Sequence, residues 1–108
     1  MNLTSDHELI VPVVRRPEYT IGLEQPNPDT TFAHCTIHVP WTGRVRRQLE
    51  ADWQQVRQLH GGTLHGLIPA SDVKLQRFAR LFGLEHTLTL TDVTTGHCDL
   101  IYTTRSIP

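Results

Sequence analysis

The stretch from Ser71 to Glu85 restricts this chain more than any other. It reads Ser71-Asp72-Val73-Lys74-Leu75-Gln76-Arg77-Phe78-Ala79-Arg80-Leu81-Phe82-Gly83-Leu84-Glu85. Ser71 suits an N-cap, because its hydroxyl can accept from an unpaired amide of a first helical turn. Leu75, Phe78, Ala79 and Phe82 recur at helical spacing on one face. Gly83 stands where a helix commonly ends on a left-handed residue. The pattern predicts a short amphipathic helix entered from one strand and followed by another. Leu75, Phe78 and Phe82 are its expected core face.

The remaining elements follow from the same signals. Glu8 to Val14 is a β-branched run in which Pro12 removes a ladder donor, so this strand is expected at a sheet edge or bulged. Arg15 to Glu18 reads as a turn and Tyr19 to Glu24 as a second strand. Gln25-Pro26-Asn27-Pro28-Asp29 reads as a loop. Thr30 to Val39 is the third strand, with apolar Cys35, Ile37 and Val39 alternating with His34, Thr36 and His38. Thr42 caps a long helix that Gly61-Gly62 stops near His60. Val45, Leu49, Trp53, Val56 and Leu59 form its expected buried stripe. Strands over Thr63 to Ile68, Glu85 to Asp92 and Cys98 to Thr103 complete the chain, the last two joined through Thr94-Thr95-Gly96. The order is βββαβαββ. The strand–helix–strand unit at the centre implies a parallel pair with a right-handed crossover, and the flanking strands imply antiparallel pairing. The expectation is therefore an α/β mixed sheet in one domain over residues 1–108, with residues 1–7 flexible.

With 108 residues, 38% of them hydrophobic, the chain can bury one core. A net charge of -1 gives no reason to expect nucleic acid as a partner. No apolar run approaches the roughly 20 residues of a membrane span, and no signal peptide is evident, so secretion is not expected. Two cysteines make no disulfide framework.

Two segments together, Trp41-Thr42-Gly43-Arg44-Val45-Arg46-Arg47-Gln48-Leu49 and Ser71 to Leu84, with the element order around them, resemble the GNAT acyltransferase fold. The resemblance covers roughly Ile21 to Tyr102. The chain looks like a truncated GNAT without the family's N-terminal helices, similar to small GNAT-like proteins of tailed bacteriophages. Two functions follow as expectations. One is a degenerate, non-catalytic virion or host-interaction protein, located in the virion or host cytoplasm, that needs no cofactor. The other is an N-acyltransferase that moves an acetyl group from acetyl-CoA to an amine.

The resemblance implies a pyrophosphate turn after the third strand, of the form Gln/Arg-x-x-Gly-x-Gly/Ala. Aligned on Leu49, Trp41 takes the first position and Arg44 and Arg46 take the two small ones. Bulky side chains there obstruct the usual approach of backbone amides to phosphate. Alternatively, the guanidinium groups bind phosphate themselves. If acyl-CoA binds, Thr42, Gly43, Arg44, Arg46 and Arg47 are the expected contacts; otherwise they are a solvated helix start. The family's helical tyrosine, often the acid for the departing thiolate, is replaced at the matching position by Ala79. The family's usual carboxylate base near the third strand is missing as well. His34 and His38 occupy that strand, and a neutral imidazole can accept an amine's proton.

Seven histidines also raise the question of a metal. His34-Cys35 and His97-Cys98 are adjacent pairs, but neighbours on a strand point to opposite faces, so no metal site is expected. Cys35 and Cys98 are expected as small core residues. A chain without the family's N-terminal helices is expected to associate with itself or with a protein partner. Pro12, in an exposed edge over Leu9 to Val14, and Trp41 are the candidate contacts.

Overall fold

The computed structural model describes residues 10–105. The segment 1–7, expected to be flexible, and Leu9 lie outside the described residues. The elements are β1 (Ile10–Arg15), β2 (Tyr19–Asn27), β3 (Thr30–Ile37), α1 (Gly43–His60), β4 (His65–Pro69), α2 (Val73–Leu81), β5 (Leu84–Thr91) and β6 (Cys98–Thr104), in the expected order. Contacts divide the chain into two compact units, Met1–Gly62 and Thr63–Pro108.

In the first unit β2 pairs antiparallel with both β1 and β3. The register with β1 slips between Pro12 and Val14, so Val13 is an extra residue in a strand that has β2 alone as partner. Both expectations for Pro12, edge and bulge, are met. Arg16 and Tyr19 exchange backbone hydrogen bonds of 2.9 and 3.2 Å around Pro17-Glu18, which closes the β1–β2 turn. β2 runs further than its sequence suggested. Gln25-Pro26-Asn27 continues the strand irregularly, and the turn is confined to Pro28-Asp29. There the Asn27 side chain accepts from the Asp29 amide at 3.0 Å, so a side chain replaces the ladder bond that ends.

Helix α1 begins as expected: the Thr42 hydroxyl accepts from the Val45 amide at 3.2 Å. It ends on Gly61 at φ 73°, whose amide donates to the Arg57 carbonyl. Val45, Leu49, Trp53 and Val56 are buried. Leu59 is not: it is 87% exposed, because the buried stripe stops one turn before the helix does. Asp52 is buried within the same stripe. Its bond to the fully buried Tyr19 places α1 over the sheet face that carries Tyr19 and Ile21.

In the second unit β6 pairs antiparallel with both β4 and β5. Leu64, Ile68, Ala79, Phe82, Leu84 and Tyr102 form its core. The N-cap of α2 is Asp72 rather than Ser71: its carboxylate accepts from the Leu75 amide at 3.0 Å. The carboxylate also suits the positive end of the helix better than a hydroxyl does. Gly83 takes the left-handed conformation expected of it, at φ 84°. The core face of α2 holds at Phe78, Ala79 and Phe82 as expected but does not reach Leu75. Ala79 and Phe82 are buried and Phe78 is half-buried against Phe82, with ring centroids 4.7 Å apart. Leu75 is 38% exposed. The β5–β6 turn is built on Asp92, whose side chain accepts from Thr94 and Thr95, with Gly96 at φ 75°.

This burial sets the energetic order on α2. Phe82→Ala should cost about 3–5 kcal/mol of unfolding free energy, as for a filled core site. Leu75→Ala should cost less than about 1 kcal/mol. Urea unfolding of the two variants checks the order, and equal losses would return Leu75 to the core.

Candidate anion-binding turn and polar sheet face

Two groups of candidate residues lie in the first unit, one at the start of α1 and the other on the face of β2 and β3 opposite the one α1 covers. The scaffold of the first is one carboxylate. Asp52 accepts from Arg16 Nε at 2.5 Å and from Arg16 Nη2 at 2.9 Å, a two-pronged pair, and from the Tyr19 hydroxyl. With its amide turned to satisfy its neighbours, Gln48 presents an oxygen to the same guanidinium, 3.2 Å from Nη1 and from Nε. The hydrogen bonds from Arg16, chiefly, hold the Asp52 carboxyl below the usual carboxylate range. Burial and the bond to Asp52 push the Tyr19 phenol up, so it stays neutral. This network was not anticipated. Its signal was an aspartate inside an apolar stripe, a position that a carboxylate occupies only with partners.

The network ties α1 to the β1–β2 turn and so fixes the start of α1. That start is unusual. Its first turn holds no acidic residue, yet Arg44, Arg46 and Arg47 crowd it. Cations at the positive end of a helix dipole are electrostatically unfavourable. Arg46 is drawn one turn along the helix to Glu50, at 2.9 Å, away from the helix start. Arg47 reaches the other way. A Cβ on Gly43 would lie 3.3 Å from Arg47 Nη1, so the guanidinium folds closely over a glycine that leaves it room. Arg44 is exposed. Arg46 is thus held by Glu50 rather than over the helix start. Thr42, Gly43, Arg44 and Arg47 gather at one end of the helix, and Arg46 stands aside.

The sheet face opposite Tyr19 is polar. On it His34 Nε2 lies 2.9 Å from Glu24 Oε1, and His38 Nε2 lies 3.0 Å from Thr20 Oγ1. Each pair is diagonal across β2 and β3, since His34 stands opposite Gly22 and Thr36 opposite Thr20. The His34–Glu24 pair is part-buried and the His38–Thr20 pair exposed. Glu24 was also missed: it supplies a carboxylate at the third strand that the sequence comparison of single positions did not reveal.

Other expectations resolve differently. Cys35 is exposed and Cys98 half-buried, so neither is a core residue; strand alternation gave their face but not its cover. Desolvation by the surrounding protein nevertheless pushes the Cys35 thiol up to about 11, which leaves little thiolate at neutral pH. Ala79 is buried and carries no proton. Among the described residues no three His, Cys, Asp or Glu side chains converge to hold a metal ion. No described helix is long and apolar enough to cross a membrane. Pro12 lies exposed on β1 between exposed Val11 and Val13, and Trp41 is exposed just before the α1 cap.

No protein-family profile matches the chain, and no curated protein matches it significantly. Solved structures do. A protein assigned to the GNAT acetyltransferases from Bordetella pertussis superposes with a TM-score of 0.63 at 15% identity, over 87% of this chain and 61% of its own. One assigned to the same family from Desulfovibrio desulfuricans gives 0.59 at 17% identity, over 83% and 63%. The ribosomal-protein-S18-alanine N-acetyltransferase from Escherichia coli gives 0.60 at 11% identity, over 94% and 72%. The fold is thus the α/β fold of GNAT acetyltransferases. The chain spans less than two thirds of the first two of these structures.

Because the folded Asp52 carboxyl is depressed, its contribution is present above the unfolded value of about 4 and is lost as pH falls through the folded value. The raised Tyr19 phenol contributes with the opposite sign, losing its part only as pH climbs through its folded value. Asp52→Ala, which strands the buried Tyr19 hydroxyl, should cost about 1–3 kcal/mol at pH 7. Its penalty should shrink in acid. Thermal melts of both proteins from pH 3 to 7 check this, and a gap that stays constant with pH would remove the carboxylate from the account.

Proposed function

We propose that this chain is an acyl-CoA-binding GNAT-type domain that transfers an acetyl group to an amine. One observation carries the reading: the start of α1, where Gly43 makes room for the Arg47 guanidinium, Arg44 is exposed, and no acidic residue offsets them. Such a turn places helix-dipole potential and two guanidinium forks on one spot, which suits a pyrophosphate. The fit supports Thr42, Gly43, Arg44 and Arg47 as the holders of the acyl-CoA pyrophosphate. Arg46, occupied by Glu50, has a lesser part.

When bound, acyl-CoA supplies an activated acyl group as a thioester. The chain's own part is to place the amine and take its proton. His34 is the candidate base: the contact of its Nε2 with Glu24 Oε1 orients the ring and leaves Nδ1 to accept the amine's proton. His38, exposed and held by Thr20, has no such carboxylate and is the weaker candidate. No phenol stands at Ala79 to protonate a departing thiolate, so that proton comes from solvent or from the amine.

That missing phenol favours a second reading, in which the domain binds its partner without turnover, as a virion or host-interaction protein of phage type. Turnover separates the two. Titration calorimetry with acetyl-CoA and with CoA should show saturable binding that weakens with added salt. Arg44→Glu with Arg47→Glu should abolish it while leaving the melting temperature unchanged or raised, since acidic residues suit a helix start. Arg46→Ala should change it less than threefold. Binding without acetylation of any amine, with His34→Ala harmless to it, would favour the second reading. Absence of saturable binding would refute the acyl-CoA reading and favour the second, which needs no cofactor.

A further inference from the structure

The free edge of the second unit has an unusual sequence. β5 pairs with β6 and is the terminal strand of the order, so one row of its amides and carbonyls faces outward. From His86 to Thr91 it carries no Lys, Arg, Asp, Glu or Pro. Edges are ordinarily blunted by such residues. The other edge strand of the chain, β1, has Pro12 beside its bulge at Val13, whereas β5 has a bulge at Thr87 but no proline, and its one charge, Glu85, lies beyond that bulge. β5 is not merely unguarded: Leu88 is 52% exposed and Leu90 46% exposed. Beside them on the same face Leu88 is opposite Ile101, which is opposite Leu67, itself 49% exposed.

The run Thr87-Leu88-Thr89-Leu90-Thr91 reads the same in both directions. An antiparallel pair of identical strands obeys a two-fold axis, so every residue i meets a residue j that meets i in return. Only a palindrome gives such a pair like-with-like contacts throughout. Centred on Thr89, the axis sets Leu88 against Leu90 of the second copy, Leu90 against its Leu88, and Thr89 against its Thr89. No like charges meet, because the run has none. The β5 bulge falls at Thr87, with pairing to β6 resuming at His86, so the evenly spaced part of the run is Leu88-Thr89-Leu90-Thr91.

We propose that two copies of this chain associate through their β5 strands, antiparallel about Thr89, joining their sheets edge to edge. The four leucines then form one apolar belt, extended on each side by Ile101 and Leu67. The occupant is a second copy, rather than an arbitrary extended peptide, because the exposed sequence is complementary to itself. The contact is short, below a standard interface of about 1,600 Å², so dissociation at micromolar concentrations is expected. This site differs from the Pro12 and Trp41 contacts that the sequence suggested.

Sedimentation of the full chain from 1 to 100 μM (roughly, the range in which a small interface dissociates) should show a monomer–dimer equilibrium. Leu90→Lys should shift the midpoint at least tenfold toward monomer, and Trp41→Ala should leave it in place. Thr89→Cys, with Cys35 and Cys98 changed to Ser, should cross-link to itself under mild oxidation. Facing Cα atoms of an antiparallel pair lie about 4.5–5.5 Å apart, within disulfide reach. Leu67→Cys in the same background should not. A monomer throughout the range overturns the proposal. So does a dimer that is indifferent to Leu90→Lys, or one that cross-links through position 67 and not 89. Circular dichroism of each variant excludes loss of folding as the cause of a shift.

Discussion

The Asp52 carboxylate is the interaction on which the first unit depends. It sits in the buried stripe of α1 and is answered by two donors from outside the helix, Arg16 and Tyr19. A buried charge without partners is costly, and a hydrophobic residue there would pack as well. The carboxylate adds direction. Apolar packing alone lets a helix slide along or rotate over a sheet, whereas a forked ion pair and a phenol hold one register. Because the two donors flank the Pro17-Glu18 turn, the same contact that orients α1 also secures the β1–β2 hairpin.

Orientation matters because the start of α1 is electrostatically uphill. Three arginines at the positive end of a helix repel it and one another. One is relieved by Glu50; Arg44 and Arg47 have no acidic neighbour in the first turn to relieve them. The Asp52 network and the Thr42 cap hold this unfavourable arrangement in place. A chain selected for stability alone would carry Asp or Glu there. Residual strain of this kind is what a bound anion would relieve, and it lies on the segment that follows β3, as the resemblance to acyltransferases implied.

How much of this was legible in the sequence depended on range. The Thr42 cap, Gly61 and Gly83 were readable because caps are settled by a few neighbouring residues. Ser71 and Asp72 are both good caps, and choosing between them required the chain's entry angle, which sequence does not specify. Periodicity found the buried face of α1 but could not say where its cover ends, so Leu59 was misplaced. On α2 the stripe held at Phe78, Ala79 and Phe82 and was carried one turn too far, to exposed Leu75. Alternation along β3 put Cys35 on the face that α1 covers, opposite buried Ile21, but could not say how far that cover extends. The Asp52 network and the Glu24–His34 pair were hidden because their partners come from other elements. For Asp52 the clue was present in a polar residue that broke an apolar pattern.

The two indoles of α1 and its approach occupy opposite environments. Trp53 is buried in the middle of the helix, and Trp41 is exposed one residue before the cap. A dry indole emits to the blue and a wet one to the red, so the protein's fluorescence is a sum of two separable bands. The blue band reports whether the helix is seated on its sheet. The red band reports events at the arginine-rich turn, and responds to them without any disturbance of the core. The chain therefore carries an independent optical reporter for the seating of α1 on its sheet and another for the turn where α1 begins.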